Sequence, residues 1–516
     1  MKRIAKIIGV VLGGFLGLLL LFLVYFFWAI QIEEPKIDKN QIHKEQLLQI
    51  NDTSFIYQDA WLRKNSYGLW EMYISGSPTE LGIKNGILSE KLMHFQEAAF
   101  VEQLREMIPS DNYLSFLKYV TAYMNRKLPD YIPIEYQNEI KAVSLFSSPD
   151  FSFIGDSYMR QLNYHAAHDI GHAMQNLHLV ECTAFGVWGS RSEDSSLLIG
   201  RNFDFYVGDA FAKNKIVQFV KPTQGYAFSS ITWAGMIGVL SGMNNQGLSI
   251  TLNSAKADIP FTAKTPVSII AREILQYSAT INQAFEIAKK RRSFVAESFM
   301  IASANDHRVA IIEKTPDTTI LYQTASEQIE LTNHFQSDYL SQSEMNIENE
   351  KENVTTYRFK RVKELLARKK QFDPQDFVAI LRNTKGLKDA DIGLGNEGAI
   401  NQLIAHHSVV FKPQERRFWI STFPYQEGPF LCYQLDSIFN NTSLLKQANS
   451  LQSPLSAYKS FVSKHQDIPK ERIAADSVFL AQDYLQFLKL QRERTYFNRL
   501  YLSKNLIKEM TNQTWF

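Results

Sequence analysis

The first thirty residues constrain the fold of this chain more than any other segment. Residues 7–30 are 24 consecutive uncharged residues, and three basic side chains precede them. A helix of that length spans roughly 36 Å, enough to cross a bilayer core with some tilt. The run is longer than a signal-peptide core, and no small-residue cleavage site follows it. We therefore expect a retained single-pass anchor, residues 1–31, that contacts the lipid bilayer through residues 7–30.

The flanking residues predict the orientation of this anchor. The basic residues at its start favour a cytoplasmic N-terminus, and the aromatic residues 25–28 suit the opposite membrane interface. The rest of the chain would then be extracytoplasmic, in the periplasm or outside the cell. A signal peptide is the alternative for the same segment.

The remaining composition is that of a folded protein without a nucleic-acid partner. Of the 516 residues, 45% are hydrophobic and 21% are charged, and the net charge of +2 leaves no basic stripe for a phosphate backbone. Two cysteines, Cys182 and Cys432, are too few for a disulfide framework or a thiolate metal site. A single bridge between them stays open.

The pattern after the anchor divides the chain into three parts. Residues 32–181 begin with a polar stretch that we interpret as a juxtamembrane linker (33–60) and continue with mostly helical patterns. Residues 182–440 alternate short strands, joined by turn residues, with four helical segments at 266–278, 280–290, 357–370 and 374–383. Residues 441–516 have a polar, helical pattern. Hairpins interleaved with paired helices predict an α+β layered architecture.

Cys182 stands at the head of a predicted core strand, in the segment ECTAFGVWG. A cysteine becomes a strong nucleophile when a base removes its proton. Cutting the peptide bond before an internal cysteine would free an α-amino group, whose pKa of roughly 7.7 to 8.0 suits it as that base.

Downstream segments offer residues that could serve such a nucleophile. Each has an ordinary structural explanation when taken alone, so their order along the chain carries the argument. These residues are Arg201 and Asp204 in GRNFDF, Asn253 in GLSITLNS, Asn333 in LTNHF and Arg358 in TTYRFKR.

This order resembles the choloylglycine-hydrolase-like branch of the N-terminal nucleophile (Ntn) hydrolases, and most of all the penicillin acyltransferase group. The resemblance spans roughly residues 66–435, and Cys-Thr followed by Arg-Asn-Phe-Asp is its most specific part. It implies a four-layer αββα sandwich, self-cleavage between Glu181 and Cys182, and no cofactor. The implied reaction is attack on a linear acyl amide, followed by a thioester acyl-enzyme and release to water or to an amine.

The resemblance also implies a role for each residue of the set. Cys182 would be both the self-cleavage residue and the nucleophile, with its own amine as the general base. Asp204 would orient that amine, and Arg201 would polarise the thiol. The other three complete the centre: Asn253 and Asn333 as the oxyanion site, and Arg358 as a buttress.

One residue departs from the family pattern. The family commonly has glycine before the nucleophile, and this chain has Glu181. A bulky charged residue could slow the acyl shift that starts self-cleavage, or its carboxylate could assist it.

Three histidines precede the cysteine on one predicted helical face. His165, His168 and His172 follow i, i+3, i+7 spacing, with Asp169 among them, and such a face could bind zinc. A helix that packs its histidines into the core, and a histidine that lines the acyl pocket, explain the pattern equally.

Two further hypotheses therefore stand beside the cysteine hydrolase. One is a metal-dependent hydrolase that uses the histidine face. The other is a non-catalytic, anchored binding protein with an unprocessed Ntn-like sandwich, which Glu181 favours. They differ in what Cys182→Ala would do, because only the cysteine hydrolase depends on the thiol.

Overall fold

A computed structural model of the chain describes residues 2–166, 169, 180–205, 210–258, 260, 263–393, 395–423, 425–439 and 472–473. These residues form an α+β structure, as predicted. The helices are α1 Lys2–Ala29, α2 Pro78–Met107, α3 Asp111–Asn125, α4 Leu128–Tyr131, α5 Ile134–Ser144, α6 Ser157–His165, α7 Val267–Tyr277, α8 Ile281–Lys290, α9 Glu344–Glu352, α10 Thr355–Leu366, α11 Pro374–Leu381 and α12 Leu435–Phe439.

The strands fall into two sheets. The first ten are β1 Leu48–Asn51, β2 Ser54–Tyr57, β3 Ala60–Lys64, β4 Trp70–Gly76, β5 Val180–Val187, β6 Leu198–Phe205, β7 Ile216–Pro222, β8 Phe228–Thr232, β9 Ser241–Asn244 and β10 Leu248–Ser254. The others are β11 Glu297–Ser303, β12 Arg308–Lys314, β13 Thr319–Tyr322, β14 Gln328–Leu331, β15 Ala405–Lys412, β16 Arg417–Ser421, β17 Phe430–Gln434 and β18 Arg472–Ile473.

Helix α1 contains the predicted anchor segment. Residues Lys6–Ala29 are long and apolar enough to cross a membrane, and their side chains are not buried against the rest of the described chain. The same length and composition would suit a signal sequence near the N-terminus.

Within the described part of the chain, the larger sheet has eleven strands in the order β1-β2-β3-β4-β7-β8-β9-β10-β11-β12-β13. Every pairing is antiparallel except β4 with β7. The interpretation of residues 33–60 as a linker is therefore wrong in its second half, because β1, β2 and the first residue of β3 lie there. Their alternating residues Phe55, Tyr57 and Trp61 are buried against the body of the protein, which holds these short polar-flanked strands in the sheet.

The smaller sheet has seven strands in the order β14-β5-β6-β15-β16-β17-β18, all antiparallel. It carries Cys182 on β5, directly beside β6 and β14. The cysteine strand pairs antiparallel with the strand that contains GRNFDF. The predicted helical region 441–516 lies outside the described residues, apart from the two residues of β18.

Three apolar clusters cover the faces of these sheets. One lies between them and combines side chains such as Phe219 and Met300 with Val409 and Phe411. A second packs the other face of the eleven-stranded sheet against α2, α5 and α7. A third packs the seven-stranded sheet against α10 and α11. Burial of this kind supplies most of the stability of such a sheet-and-helix arrangement.

Local sequence signals fix several helix ends. Thr280 caps α8 by accepting the Gln283 backbone N–H, while the Gln283 side chain accepts the Ala279 N–H, so no capping box forms. Gly82 and Gly86, one turn apart on α2, allow a close crossing with α5 and the residues after it. A Cβ at either position would overlap the Glu139 carbonyl or the Phe146 ring.

Candidate active site

Cys182 lies near the start of β5 and is completely buried. Across the ladder, Cys182 lies opposite Phe203 on β6. Two residues further along β5, Ala184 lies opposite Arg201. Because side chains alternate along a strand, Cys182, Arg201 and Phe203 share one face of the sheet. The thiol therefore lies where the seven-stranded sheet meets the buried apolar side chains packed on that face.

Arg201 and Asp204 occupy opposite faces of β6, because they are three residues apart. The Arg201 Nη2 group donates to Cys182 Sγ at 3.4 Å, and its Cζ lies 4.4 Å from the centre of the Phe203 ring. Asp204 pairs with Glu181 in the ladder and is completely buried. Asp204 thus lies beside the peptide bond that precedes Cys182, while Arg201 contacts the sulfur.

Asn333 and Arg358 hold the backbone of Cys182. The Cys182 N–H donates to Asn333 Oδ1 at 3.0 Å, and Arg358 Nη1 donates to the Cys182 carbonyl at 2.7 Å. Arg358 Nη2 also donates to Asn333 Oδ1 at 2.8 Å. Both partners come from outside the cysteine hairpin, Asn333 from the loop after β14 and Arg358 from α10. The two backbone polar groups of the predicted nucleophile are therefore fixed by buried side chains.

Asn253 completes this region from β10. Its Nδ2 group donates to the carbonyls of Leu331 and Thr332, the two residues before Asn333. The Asn333 Nδ2 group in turn donates to Ser254 Oγ at 2.7 Å. In the uncut chain, both amide groups thus bond to the protein, so a role in an oxyanion site requires the substrate to compete for these hydrogens. Ser254 was missed by the sequence analysis, although it follows Asn253 directly.

Glu181, the residue that departs from the family pattern, also has defined partners. Its Oε2 atom lies 3.3 Å from Arg358 Nη2 and accepts a hydrogen bond from Gln402 Nε2 at 2.9 Å. The carboxylate is buried on the opposite face from Cys182 Sγ, as strand alternation requires. Arg358 therefore neutralises the charge of Glu181 while it holds the Cys182 carbonyl.

The surroundings of Cys182 set the protonation of its thiol. Burial raises the pKa of the Cys182 thiol to about 11, the Arg201 charge lowers it in part, and the Asp204 and Glu297 carboxyls raise it. The uncut chain therefore holds a neutral thiol at pH 7. A base close to the sulfur is needed before it can attack.

Two buried carboxyl groups lie near this centre, of which Glu297 was missed by the sequence analysis and Asp169 was considered there only beside the histidine face. Burial raises the pKa of Glu297 well above its usual range, and the Asp169 carboxyl raises it further while Arg201 lowers it. Burial likewise raises the pKa of Asp169, whose Oδ2 atom accepts the Val267 N–H at the start of α7. Glu297 lies directly opposite Ser254 in the β10–β11 ladder, so both face the Asn333 side of the sheet.

An apolar cleft lies beside this face. Its free space amounts to about 490 Å³, open solvent at its mouth included, and its walls come from α2, α6, β6 and the loops before β7 and β9. The aromatic side chains Phe205, Phe211 and Trp233 form one wall, with the Phe211 and Trp233 ring centres 5.0 Å apart. Phe205 stacks on Phe203, 5.4 Å away, and Phe203 lies opposite Cys182. The cleft and the thiol are thus linked by one row of aromatic rings.

Of the three candidate metal-ligating histidines, only His165 lies within the described residues. Its Nδ1 atom lies 2.6 Å from the Gln161 carbonyl, and its Nε2 atom accepts the Ile237 N–H at 2.9 Å. Burial lowers the pKa of His165 to about 4. Both ring nitrogens therefore bond to the backbone, which fits the core-packing alternative for this residue. His168 and His172 fall outside the described residues, and their role stays a prediction.

Among the described residues, three carboxylates lie close enough together to be considered as metal ligands: Glu193, Asp373 and Asp376. Lys369 Nζ already bonds to Asp376 Oδ2 at 2.5 Å and lies 3.5 Å from Glu193. The ammonium group occupies the position a cation would take, so this cluster is an ordinary surface ion network.

Part of the chain matches the model of a known protein family. Residues 190–422 match the family model of acyl-coenzyme A:6-aminopenicillanic acid acyl-transferase. The match begins after Cys182 and includes the other five predicted site residues. The predicted resemblance to the penicillin acyltransferase group is confirmed over this range.

Individual proteins are more distant. An uncharacterized protein of Archaeoglobus fulgidus is 24% identical over 268 residues, which are 48% of this chain and 44% of that protein. The chain thus spans less than half the length of this curated relative.

Solved structures also match weakly. An N-acylethanolamine-hydrolyzing acid amidase orthologue from Caenorhabditis elegans is 18% identical, with a TM-score of 0.34 over 45% of this chain and 93% of its own. Penicillin V acylase from Agrobacterium tumefaciens is 14% identical, with a TM-score of 0.34 over 49% of this chain and 86% of its own.

Proposed function

Since residues 190–422 match an acyltransferase family, we propose that this chain is a cysteine Ntn hydrolase of linear amides with the four-layer αββα sandwich. Cys182 is its nucleophile, and self-cleavage between Glu181 and Cys182 activates it. The product acyl group passes from a thioester either to water or to an amine. The single observation that carries the proposal is the fixed geometry around Cys182, where Arg201, Asn333 and Arg358 contact the sulfur, the N–H and the carbonyl of one residue.

Self-cleavage begins with the thiol of the uncut chain. The Cys182 sulfur attacks the Glu181 carbonyl carbon, the C–N bond breaks, and the amine of Cys182 takes a proton while a thioester forms. Water then hydrolyses this thioester, which leaves a Glu181 carboxylate, a free thiol and a free α-amine. Asn333 Oδ1, which accepts the Cys182 N–H in the uncut chain, lies in place to accept from that amine afterwards.

The freed amine explains how a buried thiol reacts at neutral pH. The pKa of Cys182 is raised to about 11 in the uncut chain, whereas an α-amine with a pKa of roughly 7.7 to 8.0 accepts a proton near pH 8. In each turnover the amine takes the thiol proton, and sulfur attacks the substrate carbonyl carbon. The proton then goes to the leaving amine as the substrate C–N bond breaks, and water or an amine acceptor resolves the thioester.

The other residues act by position and charge. Arg201 stabilises the developing thiolate, and Asp204, on the Glu181 side of β6, orients the amine. Asn253 and Asn333 supply amide hydrogens to the oxyanion, while Arg358 keeps the Cys182 carbonyl in place. The Glu181–Arg358 ion pair accommodates a residue that is larger than the glycine usual in the family.

The aromatic cleft is the binding site for the acyl part of the substrate. Phe205, Phe211 and Trp233 present an apolar wall, and the row Phe203–Phe205 leads from it to the thiol. Such a surface binds alkyl or aryl acyl groups better than charged ones. The substrate is therefore a small acyl amide with an apolar acyl group.

The anchor places this chemistry at a membrane. Helix α1 crosses the bilayer, the basic residues at its start stay in the cytoplasm, and the sandwich lies on the extracytoplasmic side. After self-cleavage the anchored piece, residues 1–181, stays bound to the rest through packing. The strands β1–β4 belong to the larger sheet, and this sheet keeps the two pieces together.

Intact-mass measurement tests the proposal directly. The full-length chain is purified in detergent beside Cys182→Ala and, as a matched control, Cys432→Ala, since both cysteines are free and buried. We expect fragments of 181 and 335 residues from wild type and from Cys432→Ala, and one whole chain from Cys182→Ala. An uncut wild type, or cleavage that survives in Cys182→Ala, would remove the self-activating cysteine mechanism.

A further inference from the structure

Two adjacent histidines on β15 point to the same side of the seven-stranded sheet. Neighbouring residues on a regular strand face opposite sides, but the register between β15 and β6 shifts between Ala405 and His407. This bulge brings both imidazoles together, with His406 Nδ1 and His407 Nδ1 3.0 Å apart. Both rings are completely buried, next to Phe203 and so on the Cys182 face of β6.

Hydrogen bonds connect this pair to Arg201. Arg201 Nη1 donates to Ser241 Oγ at 2.7 Å, and Ser241 Oγ lies 2.9 Å from His407 Nε2. A guanidinium group can only donate, so Ser241 accepts from it. Among the described residues, His407 Nε2 is the remaining partner of the Ser241 hydroxyl, so the hydroxyl donates its hydrogen to this nitrogen.

The direction of the Ser241–His407 hydrogen bond determines the direction of the His407–His406 hydrogen bond. If His407 Nε2 accepts from Ser241, the hydrogen of His407 is on Nδ1 and points at His406 Nδ1. His406 then carries its hydrogen on Nε2, and its ring packs nearly edge-to-face against Trp233, with the ring centres 5.5 Å apart. With the hydrogens placed in this way, Arg201, Ser241, His407 and His406 form one hydrogen-bonded chain.

This hydrogen-bonded set of residues affects the Cys182 sulfur because Arg201 has few other acceptors. Its Nη1 group also donates to the Leu240 carbonyl at 3.0 Å, and its Nη2 group donates to the Leu252 carbonyl and to Cys182 Sγ. With three terminal N–H groups held by oxygens, the fourth points at the sulfur. Ser241 is the only one of these three acceptors that is a rotatable side chain, and the histidines fix its rotation.

We propose that Ser241, His407 and His406 are positioning residues that fix the Arg201 guanidinium in the orientation in which it donates to Cys182. This proposal rests on Cys182 being the nucleophile. It adds to the site three residues that contact neither the sulfur nor the cleaved bond. Their effect passes through Arg201 alone.

The chain requires both imidazoles to be neutral, since a protonated ring has no nitrogen that accepts. Burial lowers the pKa of each histidine well below its usual range, and the charges of Arg201 and Lys215 lower it further. These two cations are the charged groups that face the pair. The carboxyls of Asp204 and Glu297 face the thiol itself and act on it in the opposite sense to Arg201.

The test compares His407→Leu with His407→Gln. Leucine removes the acceptor, whereas the glutamine Oε1 atom can replace Nε2. The rate of Cys182 alkylation by iodoacetamide is measured from pH 6 to 10 on purified full-length protein, with thermal unfolding as the folding control. We expect roughly tenfold slower alkylation and a pH midpoint raised by about one unit in His407→Leu, as for the loss of one hydrogen bond to a charged group. His407→Gln should stay within about twofold of wild type.

A folded His407→Leu protein with a wild-type pH profile would overturn the proposal, and so would a His407→Gln protein as slow as His407→Leu. If His407→Leu does not fold, Ser241→Ala against Ser241→Thr gives the same contrast at the next residue of the chain, with the same interpretation.

Failure of the underlying function has a different signature, because wild-type Cys182 would then neither be cut nor be alkylated. In that case the ¹⁵N signals of labelled histidines decide the matter. The proposal requires a hydrogen on Nδ1 of His407 and on Nε2 of His406, and the opposite tautomers would refute it.

Discussion

The ion pair between Glu181 and Arg358 gives the sharpest quantitative prediction. Both side chains are buried, and Arg358 also donates to the Cys182 carbonyl and to Asn333 Oδ1. Removing one member of a buried pair leaves the other charge uncompensated, which costs about 3–5 kcal/mol. We therefore expect Arg358→Met to lower the free energy of unfolding by about that amount. Glu181→Gln, which leaves Arg358 its neutral acceptors, should cost about 1–2 kcal/mol.

The double variant separates the pair from the rest of the contacts. When Glu181 is already neutral, Arg358→Met leaves no unpaired carboxylate. The double variant should therefore be more stable than the sum of the single changes by about 1–3 kcal/mol. All variants are made in the Cys182→Ala background, which keeps the covalent state equal. Denaturant unfolding in detergent, followed by tryptophan fluorescence, measures the midpoints, and the slopes must agree between variants.

A neighbouring arginine supplies the control. Arg361 lies on the same helix and is equally buried, but it bonds to Asp389 and Glu364 instead of the cysteine strand. Arg361→Met combined with Glu181→Gln should be additive within about 0.5 kcal/mol. If the Arg358 cycle is also additive within that margin, the ion pair does not stabilise the segment before Cys182, and our account of Glu181 is wrong.

Three further predictions concern protonation and binding. Burial lowers the pKa of Lys215 to about 7; the unfolded chain therefore binds more protons between about pH 7 and 10.5, so stability rises with pH across that window. Unfolding midpoints at pH 7 and pH 9 should show a smaller rise in Lys215→Met, and an equal rise would contradict the assignment. In the uncut chain, the pKa of the Cys182 thiol is about 11 against an ordinary value of 9.0, which predicts a thiolate fraction about 100-fold lower at pH 8. Alkylation of the uncut protein, measured by mass spectrometry, should be slower by that factor. Ordinary thiol reactivity would refute this prediction. Trp233→Ala should raise the KM for an aryl acyl amide about tenfold with self-cleavage unchanged, and an unchanged KM would move the acyl site elsewhere.

Local patterns were sufficient for the apolar helix α1, the cysteine hairpin and the four helices near residues 266–383. Each of these has a strong periodic signal or a cap, such as Thr280 at the start of α8. The strands between residues 48 and 76 lacked such a signal, because they are four to seven residues long and separated by polar turns. Their place in the sheet depends on the parallel pairing of β4 with β7, whose partners lie more than 140 residues apart in the chain. A pairing of that range is fixed by packing and not by local sequence.

The candidate site likewise contains features that local sequence predicts and features that depend on the assembled fold. The placement of Arg201 and Asp204 on opposite faces of the strand beside Cys182 follows from their three-residue spacing, whereas their roles were implied by the family resemblance. The paired histidines could not be predicted, because the same geometry separates His406 from His407, and only the bulge against β6 brings their rings together. A bulge of one residue re-aims a single side chain without leaving a periodic trace in the sequence. Positions on a regular strand thus follow from spacing, whereas contacts made at a bulge depend on the assembled sheet. The alkylation profile of His407→Leu tests whether this irregularity acts on Cys182.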